Sequence, residues 1–211
     1  MSPPCTERSV PYAGGVATPD TTRRPSQARD RLLSSASGLF YAKGVHAVGV
    51  DEIISTAQIT RATFYRHFPS KDDLIVAYIR TADAQIRGAV AAATSDPTSP
   101  DSTVRALAAH VVGQIRTPGF RGCAFLNAAA EYPDPHDPVR QAIQAHRTWY
   151  RDTIEDAFAR VTTERAALAA AHFVMLRDGA MSEGCLGDPD AVTATFLHGV
   201  DGMLASFDTV T

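Results

Sequence analysis

The chain has 211 residues, enough to bury a core in one or two domains without disulfides or metal ions. Hydrophobic residues account for 45% of it and charged residues for 20%. These are ordinary values for a globular protein, and no stretch approaches the roughly 18 consecutive apolar residues of a membrane span. The cysteines, Cys5, Cys123 and Cys185, fit neither a metal-binding spacing nor a secreted disulfide framework, so we expect a cytoplasmic protein in a reducing compartment.

Charge is distributed unevenly along the chain. Residues 1–71 contain 9 Lys and Arg against 5 Asp and Glu, a net charge of +4, whereas residues 72–211 contain 11 against 18, a net charge of −7. This asymmetry favours an N-terminal part that meets a polyanion. A solvated basic face without a partner explains the charge equally well.

The first 25 residues contain no apolar segment typical of a signal peptide and place Pro and Gly among Thr and Arg. We therefore expect residues 1–25 to form a disordered tail. Its Arg8, Arg23 and Arg24 are typical of arms that reach a DNA minor groove. The alternative is a tail whose arginines only aid solubility.

Apolar residues recur at helical spacing along nearly all of the remaining chain, and no alternating strand pattern competes with them. The sequence therefore predicts an all-α fold of about nine helices, with Pro, Gly and capping residues at the helix ends. The predicted helices span residues 26–43, 50–57, 61–68, 71–93, 102–116, 124–131, 138–160, 163–185 and 189–207.

The second and third predicted helices form a candidate helix-turn-helix. Both are short, and Thr60 and Pro69 bound the third, which is the arrangement in which the second of two helices enters the major groove of DNA. If Phe64 and Phe68 face the core, the other side chains of the third helix remain exposed, namely Arg61, Ala62, Thr63, Tyr65, Arg66 and His67. Guanidinium groups and hydroxyls bind base edges and phosphates. The alternative is a small helical corner whose aromatic residues only fill the core.

From Arg29 to Tyr78 the chain contains AKGVHAVGVDEIISTAQITRATFYRHFPSKDDLIVAY, in which a glycine ends the first helix and VDEI, TFYRHF and SKDDL follow. This pattern resembles the N-terminal DNA-binding domain of the TetR family of transcriptional regulators. The resemblance implies a helix-turn-helix DNA-binding domain at residues 26–72 and a helical effector-binding and dimerisation domain at residues 73–211. It also implies a two-fold homodimer, bound to double-stranded operator DNA, that a small-molecule effector releases.

The resemblance assigns DNA contacts to individual positions. Thr63 and Tyr65 match recognition-helix positions that contact DNA, and His67 matches one that often touches a phosphate. Lys71 corresponds to the family's lysine at the start of the fourth helix, which usually meets the DNA backbone. The complete set of candidate DNA contacts is Gly49, Arg61, Ala62, Thr63, Tyr65, Arg66, His67 and Lys71.

Other positions vary in the family or depart from its pattern. Arg61 and Arg66 lie where the family varies, so we expect them to discriminate between sequences. Val48 replaces a usual Thr before the second helix, which removes one phosphate contact and leaves Gly49 as the helix start. Gln58 replaces the usual Gly of the turn, so either it adopts a positive φ at some cost or the turn is altered.

The last predicted helix is apolar over a wide arc, and such a helix is either buried in its own domain or packed against a partner. The resemblance favours the partner, because the last two helices of the family form a four-helix bundle across the two-fold axis. These helices map to residues 163–185 and 189–207. The interface candidates are Val192, Phe196, Leu197, Val200, Met203 and Leu204.

The segment from Gly119 to Ile143 resembles one subgroup of these regulators, in which a Gly-Cys pair opens the sixth helix. Candidates to line a mostly apolar effector pocket are Phe120, Cys123, Phe125, Asn127, Trp149, Phe173, Met175 and Met181, with His146, Glu131 and Asp178 as polar anchors. Ordinary core packing is the alternative for most of them. Asn127 and Asp178 stand out because a polar group on an apolar helix is costly unless it is paired.

No sequence motif of an enzyme, phosphate-binding loop or dinucleotide site is present, so we expect no catalysis and no cofactor. His136 and Asp137 lack further metal ligands at a suitable spacing. The expected function is that of a repressor released from a pseudo-palindromic operator by a small, mostly apolar ligand, without a membrane partner. The alternatives are a helical ligand-binding protein without a DNA role, or a redox-sensing regulator in which Arg121 activates Cys123.

Overall fold

The structure is a computed structural model that describes residues 27–208, and nine α-helices form this part of the chain. The all-α fold predicted from the sequence is confirmed. Within residues 27–208 no helix combines the length and apolar character needed to cross a membrane. The helices are α1 (Gln27–Lys43), α2 (Val50–Ala57), α3 (Arg61–His67), α4 (Lys71–Ala93), α5 (Ser102–Ile115), α6 (Ala124–Glu131), α7 (Pro138–Ala159), α8 (Ala166–Glu183) and α9 (Pro189–Asp208).

Local capping chemistry places the helix ends close to their predicted positions. The Thr60 hydroxyl accepts the backbone N–H of Thr63 at the start of α3, and Ser70 forms a reciprocal capping box with Asp73 at the start of α4. The largest difference is at α8, which begins at Ala166 rather than at residue 163, because residues 161–165 form turns. The predicted cap at Ser26, the tail at residues 1–25 and its basic arm lie outside the described residues.

Helices α1, α2 and α3 enclose a small core. Leu32, Ile53 and Phe64 are fully buried, and Phe68 is 3% exposed. Both aromatic side chains of the recognition segment therefore face inward, as predicted. Val48 is also fully buried, so this position contributes an apolar side chain to the core in place of a phosphate-binding hydroxyl.

Helix α4 connects this core to the larger helical layer. It packs against α1 on one side and against α5, α6 and α7 on the other. At the junction, the ring centroids of Phe40 and Tyr78 are 5.7 Å apart. Farther along the chain, Phe158, Phe173 and Phe196 of α7, α8 and α9 make edge-to-face contacts, which anchor the second part of the core.

The turn between α2 and α3 depends on an unusual backbone conformation. Gln58 has φ 51° and ψ 52° and is the only non-glycine residue with a positive φ in the described part of the chain. Its N–H closes α2 by bonding to the Ser55 carbonyl. Of the two alternatives left open by the sequence, a positive φ or an altered turn, the structure shows the positive φ. A side chain in this left-handed region is strained.

Replacing Gln58 by Gly should raise the free energy of unfolding by about 1 kcal/mol, because glycine adopts the left-handed region without a Cβ clash. Urea denaturation of the full chain measures the change. Ser55→Gly, at an exposed position inside α2, is the matched control and should lower the free energy by about 0.5 kcal/mol. A less stable Gln58→Gly variant contradicts the assignment of strain to this turn.

Candidate DNA-binding surface and effector cavity

Helix α3 presents most of its predicted DNA contacts to solvent. Arg61, Ala62, Tyr65 and Arg66 are exposed, whereas Thr63 is half-buried. Tyr65 is 45% exposed although it is a large aromatic residue, and its ring meets Phe64 edge-on at 5.1 Å. Phe64 therefore supports the Tyr65 ring at the surface.

The cations around α3 differ in their freedom to contact DNA. The Arg61 guanidinium forms an exposed ion pair with Asp51 of α2. Exposed ion pairs contribute little to stability, so Arg61 can leave Asp51 for another partner. Arg66 is exposed and has no ion-pair or hydrogen-bond partner among residues 27–208. Lys71 is the first residue of α4, and His67, the last residue of α3, is half-buried.

Gly49 is the N-cap of α2 and has an extended backbone, with φ −83° and ψ 157°. It offers no side chain to the first turn of the helix, so no side chain caps the N–H groups there. Unsatisfied N–H groups at a helix start bind anions. This position is compatible with the phosphate contact expected from the sequence.

A cavity of about 400 Å³ lies between α1, α4, α5, α6 and α8. Four of the predicted effector contacts, Phe120, Cys123, Phe125 and Met181, line it. The sequence did not indicate its other walls, which come from helices distant in the chain. They include Tyr41, Gln85, Ile86, Gln114 and Arg177.

Arg177 is the charged group of this cavity, and its side chain is 5% exposed. Its Nη1 donates to the Asp178 carboxylate at 2.8 Å and to the Cys123 sulfur at 3.3 Å. The same Asp178 accepts a hydrogen bond from Arg147 at 2.7 Å. The arginine beside Cys123 is thus Arg177, whereas the Arg121 proposed from the sequence is exposed.

Several predicted pocket residues lie elsewhere. Phe173 is fully buried in the core, and Met175 is 71% exposed on a different face of α8. Neither lines the cavity, so the expectation that they contact an effector there is corrected. Asn127 is exposed and donates to the Arg121 carbonyl. Trp149 is half-buried on α7, where the Arg87 guanidinium lies 4.1 Å from the centre of its ring.

His146 does not line this cavity directly but supports its wall. Its ring stacks on Phe125 with centroids 3.6 Å apart, and its Nδ1 is hydrogen-bonded to Asp83 at 2.7 Å. Burial lowers the pKa of His146 more than the Asp83 carboxylate raises it. Burial raises the pKa of Asp83, but hydrogen bonds from Arg87 and His146 outweigh this effect and lower it overall.

Helix α6 connects the cavity to the DNA-binding helices. The Tyr41 hydroxyl of α1 donates to the Gly122 carbonyl at 3.0 Å and accepts the Arg121 N–H at 2.8 Å. Burial raises the pKa of Tyr41, so its hydroxyl keeps the proton that it donates. At the other end of α6, Tyr132 donates to Asp72 of α4 at 3.1 Å.

Glu131, considered from the sequence as an effector anchor, instead holds the loop between α1 and α2. Its carboxylate accepts the N–H groups of Val45 and His46 at 3.0 and 2.7 Å. Gly44, which ends α1 with φ 90°, allows this approach, because a Cβ there would lie 3.0 Å from Glu131 Oε1. The sequence predicted the glycine but not its acidic neighbour.

An apolar groove of about 780 Å³ runs between α8 and α9. Its walls include Met175, Leu176, Val192 and Met203. Val200 and Leu204, two of the predicted interface residues, require a correction, because they are buried in the protomer's own core and do not line the groove. Phe196 is 3% exposed but lines the groove, and Leu197 is 39% exposed.

An exposed recognition helix joined to a helical domain with a cavity defines a DNA-binding regulatory protein. Family models agree with this class: "Bacterial regulatory proteins, tetR family" matches residues 32–78, and "Tetracyclin repressor-like, C-terminal domain" matches residues 100–172. The chain is 55% identical to SCO4454, a TetR-family transcriptional regulator from Streptomyces coelicolor. That match covers 85% of this chain and 95% of SCO4454, with a TM-score of 0.83.

The chain therefore belongs to the TetR family of transcriptional regulators. It is also 27% identical to the transcriptional regulator AcuR of Cereibacter sphaeroides, over 94% of this chain and 84% of AcuR. A regulator from Streptomyces avermitilis, sav143, shares the fold with a TM-score of 0.75 at 24% identity, covering 87% of this chain and 99% of its own. The family resemblance noted in the sequence is confirmed.

Stability should fall as the pH decreases through about 6.5, the ordinary histidine pKa. Burial lowers the pKa of His146 and of His110, so the unfolded chain binds protons that the folded chain excludes, and acid favours unfolding. Urea denaturation at about pH 7.5 and pH 5.5 measures this loss.

The variant His146→Gln should lose less stability over this range, because one of the two histidines with a lowered pKa is gone. His136→Gln, in an exposed loop, controls for the removal of a histidine. If the pH dependence of His146→Gln equals that of the parent protein, His146 does not contribute to it.

Proposed function

We propose that this regulator is a cytoplasmic, non-catalytic repressor that binds a pseudo-palindromic operator as a homodimer and leaves it when a small ligand fills the cavity. The observation that carries the proposal is α3, a capped helix with an exposed Tyr65 and an unpartnered, exposed Arg66 on a rigid core. Exposed aromatic and guanidinium groups on a fixed helix match DNA recognition better than stabilisation of the fold.

Separate groups supply affinity and specificity in this proposal. Arg66 and Arg61 read base edges, the latter after its exposed ion pair with Asp51 opens. Thr63, Tyr65 and Lys71 contact the sugar-phosphate backbone, which positions α3 but carries little sequence information. The remaining candidates, Gly49, Ala62 and His67, contribute a helix-start phosphate site, a small apolar contact and a further phosphate contact.

The cavity controls DNA binding through shared walls. Tyr41 belongs to α1 of the DNA-binding domain, yet it lines the cavity and is hydrogen-bonded to the residues that precede α6. A ligand that displaces Phe125 or Tyr41 therefore moves α1 relative to the helical domain. Release requires that the ligand bind the DNA-free arrangement more tightly than the DNA-bound one.

Dimerisation uses the exposed apolar face of α8 and α9. Three large apolar side chains are exposed at or beside the groove. They are Met175 (71% exposed) and Leu176 (36%) on α8, and Leu197 (39%) on α9. Exposed apolar patches of this kind mark protein–protein interfaces. Gly199 of α9 allows Leu176 of α8 to approach closely, because a Cβ there would lie 3.3 Å from the Leu176 side chain.

The function is tested by selection of fragments from genomic DNA with the purified protein, followed by anisotropy measurements on the enriched sequence and on random DNA. Enrichment of a two-fold symmetric sequence, with binding that weakens steeply as salt rises, supports the proposal. Recovery of all fragments in equal amounts overturns it.

Arg66→Ala should weaken binding to the enriched sequence by about 1–3 kcal/mol and leave binding to random DNA nearly unchanged. Lys71→Ala should weaken binding to both DNAs equally. It should also lower the slope of log affinity against log salt concentration by about one, the value for one lost phosphate contact. Arg151→Ala removes an exposed arginine of α7 as a control and should change neither affinity. Equal losses on both DNAs for Arg66→Ala contradict its role in specificity.

Met175→Glu should convert the dimer into a monomer, because it places two carboxylates in an apolar interface. The side chain is 71% exposed in the protomer, so the fold itself should tolerate the change. Light scattering during size-exclusion chromatography measures the mass. Leu186→Glu, at an 82% exposed position outside the groove, is the matched control and should remain dimeric; a dimeric Met175→Glu contradicts the assigned interface.

A further inference from the structure

Arg177 has more hydrogen-bonding capacity than its protein neighbours use. Its side chain is 5% exposed, and its buried Nε has no hydrogen-bond partner among residues 27–208. A guanidinium group removed from water is costly unless its N–H groups are satisfied. Arg177 lines the 400 Å³ cavity, so an occupant of that cavity lies beside a guanidinium group whose hydrogen-bonding capacity is not filled.

The charges around Arg177 do not balance. Asp178 is its carboxylate partner, yet Asp178 is shared with Arg147, so two guanidinium groups face one carboxylate. The other contact of Nη1 is the Cys123 sulfur, a weak acceptor. Arg177 also lies over the Tyr150 ring, 5.3 Å from its centre, but this ring is neutral, so one positive charge of the cluster has no carboxylate partner.

The remaining walls of the cavity are mostly apolar. Ile86, Phe120, Phe125 and Met181 surround the space. Such walls favour a hydrocarbon or aromatic body in the ligand. The Tyr41 hydroxyl is already engaged by Gly122 and Arg121, so it does not compete with Arg177 for a polar head group.

We propose that the cavity binds a small organic carboxylate, with its carboxylate group on Arg177 and its apolar body against the aromatic wall. This inference rests on the proposed role of the cavity as the effector site and names the class of effector. A carboxylate fits the planar donor geometry of a guanidinium group. A single negative charge matches the one unbalanced guanidinium, whereas a doubly charged phosphate would bury an excess negative charge.

Pairs of ligands that differ only in charge test the proposal. Benzoate with benzamide and hexanoate with hexanamide are titrated by calorimetry into the full-length protein without DNA. At least one acid should bind at least about tenfold more tightly than its amide, because a hydrogen bond to a charged group contributes roughly 1.5–3 kcal/mol. Equal affinity within both pairs, or no binding by either acid at millimolar concentration, overturns the proposal.

Variants identify the arginine that binds the carboxylate group of the acid. Arg177→Met should lose at least about tenfold in affinity for the acid while its affinity for the amide stays unchanged. Arg140→Met is the matched control, since Arg140 is a half-buried arginine that donates to the Ala129 carbonyl and does not line this cavity, and it should retain acid binding. Arg177→Lys keeps the charge and should restore part of the affinity, so it separates a folding defect from loss of the site. Unchanged acid binding in Arg177→Met contradicts the proposal.

A second arm separates this inference from the proposed function. The acid that binds is added to the complex of the protein with its enriched DNA. Binding of the acid without release of DNA supports the carboxylate site and refutes the regulatory role of the cavity. Specific DNA binding without any bound acid supports the repressor and refutes the carboxylate site.

Discussion

The orientation of the DNA-binding helices depends on hydrogen bonds at the two ends of α6. At one end, Tyr41 of α1 is bonded to the backbone of Arg121 and Gly122, and at the other the Glu131 carboxylate holds the N–H groups of Val45 and His46. The bonds from Tyr41 to Gly122 and from Val45 to Glu131 are partly buried, and breaking them leaves polar groups unpaired at a cost of about 1–3 kcal/mol each. These bonds tie α1 to α6, and α3 packs against α1.

The same helix begins at the cavity. Cys123 is its N-cap and Phe125 lies in its first turn, and both line the space into which Arg177 introduces a buried charge. In the proposed mechanism, effector binding and DNA binding therefore share a wall, and a displacement of α6 reaches α1 through the hydrogen bonds of Tyr41. This contiguous set of contacts provides a physical route for the proposed coupling between the cavity and the DNA-binding helices. The size of that coupling is set by the difference in ligand affinity between the DNA-free and DNA-bound arrangements.

Rules that act over a few residues made most of the fold predictable. The inward position of Phe64 followed from helical spacing. The positive φ of Gln58 was one of two alternatives raised by the family resemblance, which expects Gly in this turn. The cavity was less predictable, because Tyr41 and Arg177 reach it from helices far apart in the chain. Periodicity also does not reveal which apolar face meets which neighbour, so Met175, expected in the pocket, lies instead on the α8–α9 groove.

Hydroxyl-radical footprinting of the protein on its enriched DNA tests the central claim most directly. If α6 holds α3 in one orientation in each copy of a two-fold dimer, the two recognition helices meet the same face of the duplex. The account predicts two symmetric blocks of protection whose centres are a whole number of helical turns apart. One helical turn of DNA is about 10–10.5 base pairs. A single asymmetric block, or protection without this spacing, contradicts it.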